Sequence, residues 1–402
     1  MSDEAGGTLS ILVATTSYPL RDGDFSGHFV HSLASAVVAR GHRVTVVAPH
    51  APGVAEAEEL DGVTVRRFRY APEPIELVAY GDGIATNLRR DARAWLALPL
   101  FSRALARAVA REAAGADVIH AQWAPTAAIS ARSLRAAPSV VTLHGSDVSL
   151  ARGGGVWRAL LDRGLAAADR VVTVARDQAD FLRASGAYTG VVSTIPSGVP
   201  RGLLERPRLE PAAGAPFTFL YAGRLIAGKG VHELLEAFVR VARAHDDVRL
   251  VLVGTGPEEG ALRERAVAGG VADRIDFRGA QDHASTLDAI AAADCFVLAS
   301  HAEGSPLSVT EALALGTPVV GTRVGGVPDL LGDDGQLVEA GDVAGLAEAM
   351  MHVMLGSGLR AMLSREGRER VAARLTWDTI AERHERIYRE AIEAAAGGGR
   401  RG

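Results

Sequence analysis

Short apolar runs rich in β-branched residues alternate with longer segments of helical period along this chain, and that alternation constrains the fold more than any other feature. Ile11-Leu12-Val13-Ala14, Val44-Thr45-Val46-Val47, Val118-Ile119, Val140-Val141-Thr142-Leu143, Val171-Val172-Thr173-Val174 and Val191-Val192-Ser193-Thr194-Ile195 lack the polar alternation of a strand with one wet face. Continuous runs of this kind mark strands covered on both faces, as in a parallel sheet. Phe29 to Arg40 and Arg176 to Ala184 read as intervening helices. The pattern pauses between Pro196 and Pro216, where Pro196, Pro200, Pro207, Pro211 and Pro216 accompany few periodic apolar residues and predict a linker. It restarts with Phe217-Thr218-Phe219-Leu220-Tyr221, Val248 to Val253, Ile275-Asp276-Phe277, Phe296-Val297-Leu298 and Pro318-Val319-Val320. The expected fold class is α/β, with a doubly wound domain over 1–200, a linker over 201–216 and a second doubly wound domain over 217–375. A helix over 376–396 is expected to pack back toward the first domain, with a frayed tail at 397–402. No residue-level repeat relates the halves, which sets a solenoid aside.

Composition removes several function classes. A length of 402 residues gives each of two or three domains, at roughly 100 to 200 residues apiece, enough chain for its own core. An apolar fraction of 48% with 23% charged residues is that of a globular protein. The 43 basic and 48 acidic side chains leave a net charge of −5, without the basic excess of a nucleic-acid binder. No Cys/His spacing suggests a metal site, and the single cysteine, Cys295, lies in an apolar run and reads as a buried thiol. Met1-Ser2-Asp3-Glu4 lacks the basic start of a secretory signal, and runs such as Ala94 to Ala110 are cut by Arg103 and Arg107 short of the ~20 apolar residues of a membrane span. A cytoplasmic protein is expected. Arg89, Arg90, Arg93, Arg103, Arg107 and Arg111 lie on helical-looking sequence broken at Pro99 and interleaved with Trp95, Leu96, Leu98, Leu100 and Phe101. The simpler reading is amphipathic helices with a solvated arginine face; the other is a peripheral contact with an anionic bilayer that reaches a lipid acceptor.

Ligands of open α/β sheets bind beyond the carboxyl ends of the strands, and two such domains are expected to share an interdomain cleft there. After the first strand of the second domain comes Gly223-Arg224-Leu225-Ile226-Ala227-Gly228-Lys229-Gly230, with a helix beginning near Val231. Glycines let the backbone approach a phosphate, a helix start offers free N–H groups, and Arg224 and Lys229 add two cations, which together make a diphosphate cradle. The bland alternative is a solvated turn with two surface cations. The spacing also satisfies Gly-x-x-x-x-Gly-Lys, but Gly230 stands where a Walker loop needs a hydroxyl, so a P-loop nucleotidase is set aside. The run from Glu303-Gly304-Ser305-Pro306-Leu307 through Glu311 to Gly316-Thr317-Pro318 leaves a strand and enters a helix. Ser305 is the expected N-cap and Pro306 the first helical residue, with Gly316 and Pro318 ending the helix. Glu303 then lies in the loop and Glu311 about one and a half turns into the helix, so one carboxylate could hold a hexose and the other a ribose. Glu311 could equally be a polar-face residue of an amphipathic helix.

The pairing of Gly-Arg-Leu-x-x-x-Lys-Gly with Glu-Gly-x-x-x-x-x-x-Glu-Ala-x-x-x-Gly-x-Pro-Val resembles the retaining nucleotide-sugar glycosyltransferases of family 4, which have the GT-B fold of two Rossmann-like domains facing a cleft. The resemblance covers nearly the whole chain and is strongest from Phe217 to Val320. It implies that Arg224 and Lys229, with Gly223, contact the donor diphosphate, Glu311 the ribose, and Glu303 with Gly304, Ser305, Pro306 and Leu307 the donor sugar. Thr142-Leu143-His144-Gly145-Ser146-Asp147 resembles the family's His-Gly-x-Asp segment, which implies that His144 faces the sugar and reacting centre and that Asp147 belongs to the donor site. In the loop Asp22-Gly23-Asp24-Phe25-Ser26-Gly27-His28-Phe29 the family often has paired glycines; here Ser26 precedes Gly27, which leaves Gly27 as the donor-phosphate candidate.

Two signals are discounted. Asp22-x-Asp24 resembles the metal-binding pair of another glycosyltransferase fold but lies in a glycine-containing loop and reads as a turn, so no metal is expected. Gly254-Thr255-Gly256-Pro257-Glu258-Glu259-Gly260 has its third glycine displaced from the dinucleotide fingerprint, and Asp276 falls inside its strand, so a nicotinamide site is not expected; the resemblance places this loop in the donor domain. The resemblance implies a donor that is a nucleotide diphosphate sugar, acting as co-substrate without other cofactor, and an acceptor hydroxyl on a glycan, lipid or small molecule. In the implied front-face mechanism the donor phosphate accepts the acceptor's proton, cations stabilise the departing diphosphate, and Glu303 orients the sugar without attacking it. A nucleotide-sugar epimerase and a non-catalytic sugar-nucleotide-binding subunit are the alternatives.

Overall fold

The computed structural model describes residues 7–21, 24, 26–81, 83–209, 214–332 and 335–397. Of the expected features, Asp22, Gly23, Phe25 and Pro211, and the tail beyond Gly397, lie outside the described residues. The chain forms two units: residues up to Ile195 together with the segment from Trp377 onward, and Pro196–Thr376.

The first unit is built on β1 (Ser10–Ala14), β2 (Arg43–Pro49), β3 (Ala57–Leu60), β4 (Val63–Phe68), β5 (Val118–Gln122), β6 (Ser139–Leu143), β7 (Arg170–Thr173) and β8 (Val192–Thr194). Their order across the sheet is β3-β4-β2-β1-β5-β6-β7-β8, parallel throughout except that β3 runs antiparallel to β4. Ile11 pairs with Val44 on one side and Val118 on the other, so the winding reverses between β1 and β5. A crevice opens beyond the carboxyl ends of strands at such a reversal. The final helix of this unit, Trp377–Gly397, buries Trp377, Ile380, Ala381, His384, Ile387, Tyr388 and Ala391, a stripe at three- and four-residue spacing. Glu385 on that helix accepts from Arg40 Nε and Arg389 Nη2, both at 2.8 Å, and the first of these bonds ties it to the helix His28–Ala39.

The second unit carries β9 (Phe217–Ala222), β10 (Val248–Val253), β11 (Ile275–Gly279), β12 (Cys295–Leu298), β13 (Val319–Thr322) and β14 (Gln336–Val338). All are parallel in the order β11-β10-β9-β12-β13-β14, and the reversal falls between β9 and β12. Phe219, Leu220, Tyr221, Leu250, Phe296, Val297 and Val320 form the centre of its core, with the Cys295 thiol buried among them.

Every strand expected from an apolar run is present. The sequence reading missed β3, β4 and β14, which lie toward sheet edges and are short or interrupted by charge. The helix expected to break at Pro99 instead runs unbroken over Ala92–Ala113, and the interruption falls at Asp91, whose side chain caps it by accepting from the Arg93 N–H. Proline there removes a single backbone donor, and Ala94, Ala97, Phe101 and Leu105 on the buried face hold the helix together across the gap. The described part of the expected linker is packed: Gly202–Glu205 is one helical turn with Leu203 in the second core, and Arg206 pairs with Asp288. Among the described residues no helix is long and apolar enough to cross a membrane.

Candidate active site

The loops leaving β9 and β12 are tied together at the reversal of the second sheet. Ala227–Lys229 forms a tight turn, and Gly230 follows at φ 63°, closing it before the helix Val231–Ala244. A Cβ at Gly230 would lie 1.9 Å from the Ala299 carbonyl oxygen, so only glycine allows this turn to cross the end of β12. The His301 N–H donates to the Gly228 carbonyl oxygen at 3.1 Å. That crossing brings Lys229 Nζ to 2.7 Å from Glu303 Oε1, although the two residues are 74 apart in sequence. Ser300 Oγ donates to the same oxygen at 2.6 Å, and the Thr322 hydroxyl, donating to the Ser300 carbonyl, secures that strand end from β13. The Glu303 side chain is 7% exposed, and these two donors stand in for the water its carboxylate gives up. Arg224 shares the loop and is exposed; the buried Tyr221 hydroxyl donates to its carbonyl oxygen and fixes the backbone beneath it. Gly223 is exposed beside it.

Glu311 sits on the helix Leu307–Ala314 with its side chain 8% exposed, and its Oε1 lies 2.7 Å from His283 Nε2. His283 begins the helix after β11, and the hydrogen bond to Glu311 raises its pKa above the ordinary histidine value despite partial burial. Gly304, Ser305 and Leu307 are partly buried and Pro306 is buried. The expected capping is corrected: Pro306 is itself the N-cap, the helix starts at Leu307, and the Ser305 hydroxyl accepts from the Ser197 N–H at 3.0 Å instead. With its hydroxyl taken by the segment entering this unit, Ser305 makes no capping bond. The helix stops as read, in a Schellman turn: Thr317 N–H donates to Ala312, Gly316 N–H to Leu313, and Gly316 has φ 74°. Glu258, in the glycine-rich loop after β10, lies 2.7 Å from His232 on the helix that follows Gly230.

The first unit gathers a second set of residues at the carboxyl ends of β1, β5 and β6. Gly27 has φ 69° and packs so closely on Ser17 that a Cβ would lie 2.4 Å from its carbonyl oxygen; the helix His28–Ala39 starts directly after it. His144 follows β6 with its ring between Phe29 and Trp123, at centroid distances of 4.8 and 4.6 Å. Its Nε2 lies 2.7 Å from Gln122 Oε1 at the end of β5, and loss of solvation on burial pushes its pKa down to about 3, so the ring is neutral near pH 7. Trp123 holds φ 68° and ψ 144°, a conformation that costs a non-glycine residue about 1–3 kcal/mol and that clusters at functional sites. Asp147 is buried and turned inward. Its Oδ1 accepts from the N–H groups of His144, Gly145 and Val148, and its Oδ2 from Ala124. Burial raises its pKa against the pull of those donors, which tie it to the His144 turn. Asp24 likewise accepts from the Leu20 and Ser26 N–H groups, as a turn residue does.

The structure thus joins Lys229 to Glu303, sets Glu311 against His283, and stacks His144 in an aromatic slot. Sequence reading overlooked Gln122, Trp123, Ser300 and His283. The pair Gln122-Trp123 ends a buried strand with a polar and a bulky residue, which is a signal for a site; Ser300 and His283 carry none.

The family described as "Glycosyltransferase Family 4" matches residues 26–202, and "Glycosyl transferases group 1" matches 216–355. The chain is 30% identical over 376 residues to a phosphatidyl-myo-inositol mannosyltransferase of Mycobacterium leprae, covering 89% of this chain and 91% of that one. It is 28% identical over 404 residues to a glycogen synthase of Mycobacterium tuberculosis, covering 94% of each. Among solved structures, sucrose-phosphate synthase from Thermosynechococcus elongatus superposes with a TM-score of 0.75 at 23% identity, covering 96% of this chain and all of that one. With both family matches in chain order and two reversed-winding parallel sheets, this chain belongs to the group 1, family 4 glycosyltransferases of the GT-B fold.

Proposed function

We propose that this glycosyltransferase moves a sugar from a nucleotide diphosphate sugar to an acceptor hydroxyl with retention of anomeric configuration and without a metal ion. The observation that carries the reading is the 2.7 Å contact between Lys229 and Glu303, which sets the cradle lysine and the sugar-side carboxylate around one point at the sheet reversal. Lys229 and Arg224 supply the positive charge that the departing diphosphate needs, with the N–H groups that follow Gly230 and Gly27 as further donors. Glu311, held by His283, takes the ribose hydroxyls; Glu303 and the backbone of Gly304 to Leu307 take the hexose; neutral His144 accepts a hydrogen bond from the sugar near the reacting carbon. No protein nucleophile is used, and the donor phosphate receives the acceptor's proton.

The acceptor is a glycan, a lipid-linked sugar or a small molecule, and the enzyme works in the cytoplasm. A contact with the inner face of the membrane is favoured by one patch: Trp95, Leu96 and Leu100 are 58%, 79% and 49% exposed, on a helix that also exposes Arg93, Arg103 and Arg107. A thermal-shift panel of UDP, GDP and ADP identifies the base, since a ligand at ~100 times its dissociation constant adds about 2.7 kcal/mol of stability. Transfer is then assayed with the matching sugar nucleotides in the presence of EDTA, and the anomeric configuration of the product is read by NMR. Inverted product, or activity abolished by EDTA and restored by a divalent cation, overturns the mechanism. Conversion of the donor sugar without acceptor marks an epimerase instead.

A further inference from the structure

β5 reads Val118-Ile119-His120-Ala121-Gln122, and residues two apart on a strand share a face. His120 and Gln122 are both essentially unexposed, and the Trp377–Gly397 helix places Tyr388 against that face. An unbroken polar line results. Tyr388 Oη lies 2.9 Å from His120 Nδ1, Gln122 Nε2 lies 3.2 Å from His120 Nε2 and 3.4 Å from its Nδ1, over the ring, and Gln122 Oε1 lies 2.7 Å from His144 Nε2. Thr142 Oγ1, 2.7 Å from His120 Nε2, braces the line from β6. Of this line, His144 and its partner Gln122 belong to the site already described; His120 and Tyr388 do not.

The geometry points to Gln122 as the positioning residue for His144: its amide, anchored on His120 and through it on Tyr388, fixes the His144 imidazole as the Nε2–H tautomer and keeps Nδ1 as its acceptor. This rests on the reading of His144 as a sugar-facing residue. An amide has one accepting and one donating end, so an orientation imposed at one end decides what the other presents. Gln122 Oε1 accepts from His144 Nε2–H. Its N–H group lies against the face of the His120 ring, which accepts an N–H but repels an amide oxygen, while the two ring nitrogens meet Thr142 Oγ1 and Tyr388 Oη. The amide orientation, oxygen toward His144 and nitrogen toward His120, is therefore set from the His120 side. Among the described residues, the groups packed around it offer no uncommitted counter-charge for an imidazolium. His384, 5.6 Å from His120 between ring centroids, gives its own Nδ1–H to the Ile380 carbonyl oxygen, and the Asp147 carboxylate is already taken by backbone donors. Burial lowers the pKa of His120, and takes that of His384 down to about 4, so the line is neutral near pH 7. A neutral His144 whose Nε2–H is already given can accept from a ligand hydroxyl at Nδ1 but cannot donate to it. The Phe29 and Trp123 rings set the plane of the imidazole; Gln122 sets its proton.

The test uses the full chain labelled with ¹⁵N-histidine, in which two-bond nitrogen–proton correlations report each tautomer, with the His144 and His120 signals assigned by His144→Asn and His120→Asn. In the wild type His144 is expected as Nε2–H. Gln122→Leu is expected to abolish the single His144 tautomer and to lower kcat by roughly 10- to 100-fold with little change in the donor KM, the cost of one unmade buried hydrogen bond at the reacting centre. Gln122→Glu keeps an accepting oxygen toward His144, which is expected to remain Nε2–H. A wild-type His144 in the Nδ1–H form or in a mixture overturns the assignment, as does an unchanged His144 tautomer or an unchanged kcat in Gln122→Leu. If Gln122→Leu does not fold, loss of the Nε2–H form of His144 in Gln122→Glu overturns it alone. The tautomers are read without turnover, so absence of transfer with any sugar nucleotide sinks the proposed function and leaves this test standing.

Discussion

Removing Lys229 leaves the nearly buried Glu303 carboxylate with the Ser300 hydroxyl as its remaining partner on Oε1. Breaking one side of such a pair is costlier than the pair was worth, so Lys229→Ala should lower stability as well as transfer. Transfer is expected to fall roughly 10²-fold or more, the usual cost of deleting one charge-stabilising donor. A double-mutant cycle separates the two effects: Lys229→Ala with Glu303→Gln should regain part of the thermal stability lost by the first change while regaining no activity. Glu311→Gln keeps the shape but weakens the bond to His283 and the charge offered to a ribose; nucleotide affinity by calorimetry should drop by about tenfold. Unchanged affinity removes the ribose role. Lys229, Glu303 and Glu311 stood out as candidates because the first two adjoin the glycines of their loops and the third lies on the helix bounded by Pro306 and Gly316. His283 was not, because nothing in Asp282-His283-Ala284 announces that the residue will meet a helix 28 positions later. Gln122 was hidden for a related reason: on a strand read from its apolar run, His120 and Gln122 looked like the end of the run.

Among elements, the central strands declared themselves because burial on both faces erases alternation, while β4 concealed itself behind Arg66-Arg67. Arg67 is 4% exposed, with its guanidinium spent on Glu58 Oε1, the Pro19 carbonyl and the Tyr80 hydroxyl, so a charged residue does core duty there. Pro99 misled in the other direction, since a long helix packed along one face survives the loss of one donor. The loop after β9 supplies an element-scale prediction. Gly230→Ala drives a methyl into the Ala299 carbonyl, so the crossing must open and Lys229 must withdraw from Glu303; both donor affinity and the melting temperature of the chain should fall. The helix Trp377–Gly397 supplies another. Burial alone would raise the Glu385 pKa, but hydrogen bonds from Arg389, Arg40 and His42 outweigh it and hold the group at about 2 against an ordinary 4.5. The unfolded chain therefore binds the extra proton first, and the stabilisation, full above pH 4.5, is lost as pH falls toward 2. In urea titrations the wild type should exceed Glu385→Gln in stability at pH 7, with the gap closing across that interval.

At the scale of the molecule, the first unit is discontinuous: residues up to Ile195 are completed by the segment from Trp377 on, with the whole of Pro196–Thr376 between them in sequence. The sequence suggested two units through the proline-rich pause and the restart of the strand pattern, but the packing of a distant helix depends on contacts that no local pattern records. Tyr388 against His120 and Glu385 against Arg40 are such contacts. A chain ended after Thr376 should keep a folded second unit and lose cooperative melting of the first, measured by differential scanning calorimetry and by protease sensitivity of the sites before Ile195. Two intact transitions would show the last helix to be dispensable.

That discontinuity also sets a schedule for biosynthesis. Translation proceeds at about 5–20 residues per second and domains ordinarily fold in the order in which they emerge. Here the earlier sheet leaves the ribosome without the helix that covers His120 and must wait, incomplete, while the later one is made and folds. For the length of that delay its apolar face is open to chaperones and to neighbouring nascent chains, so the second unit to be synthesised is the first to be finished.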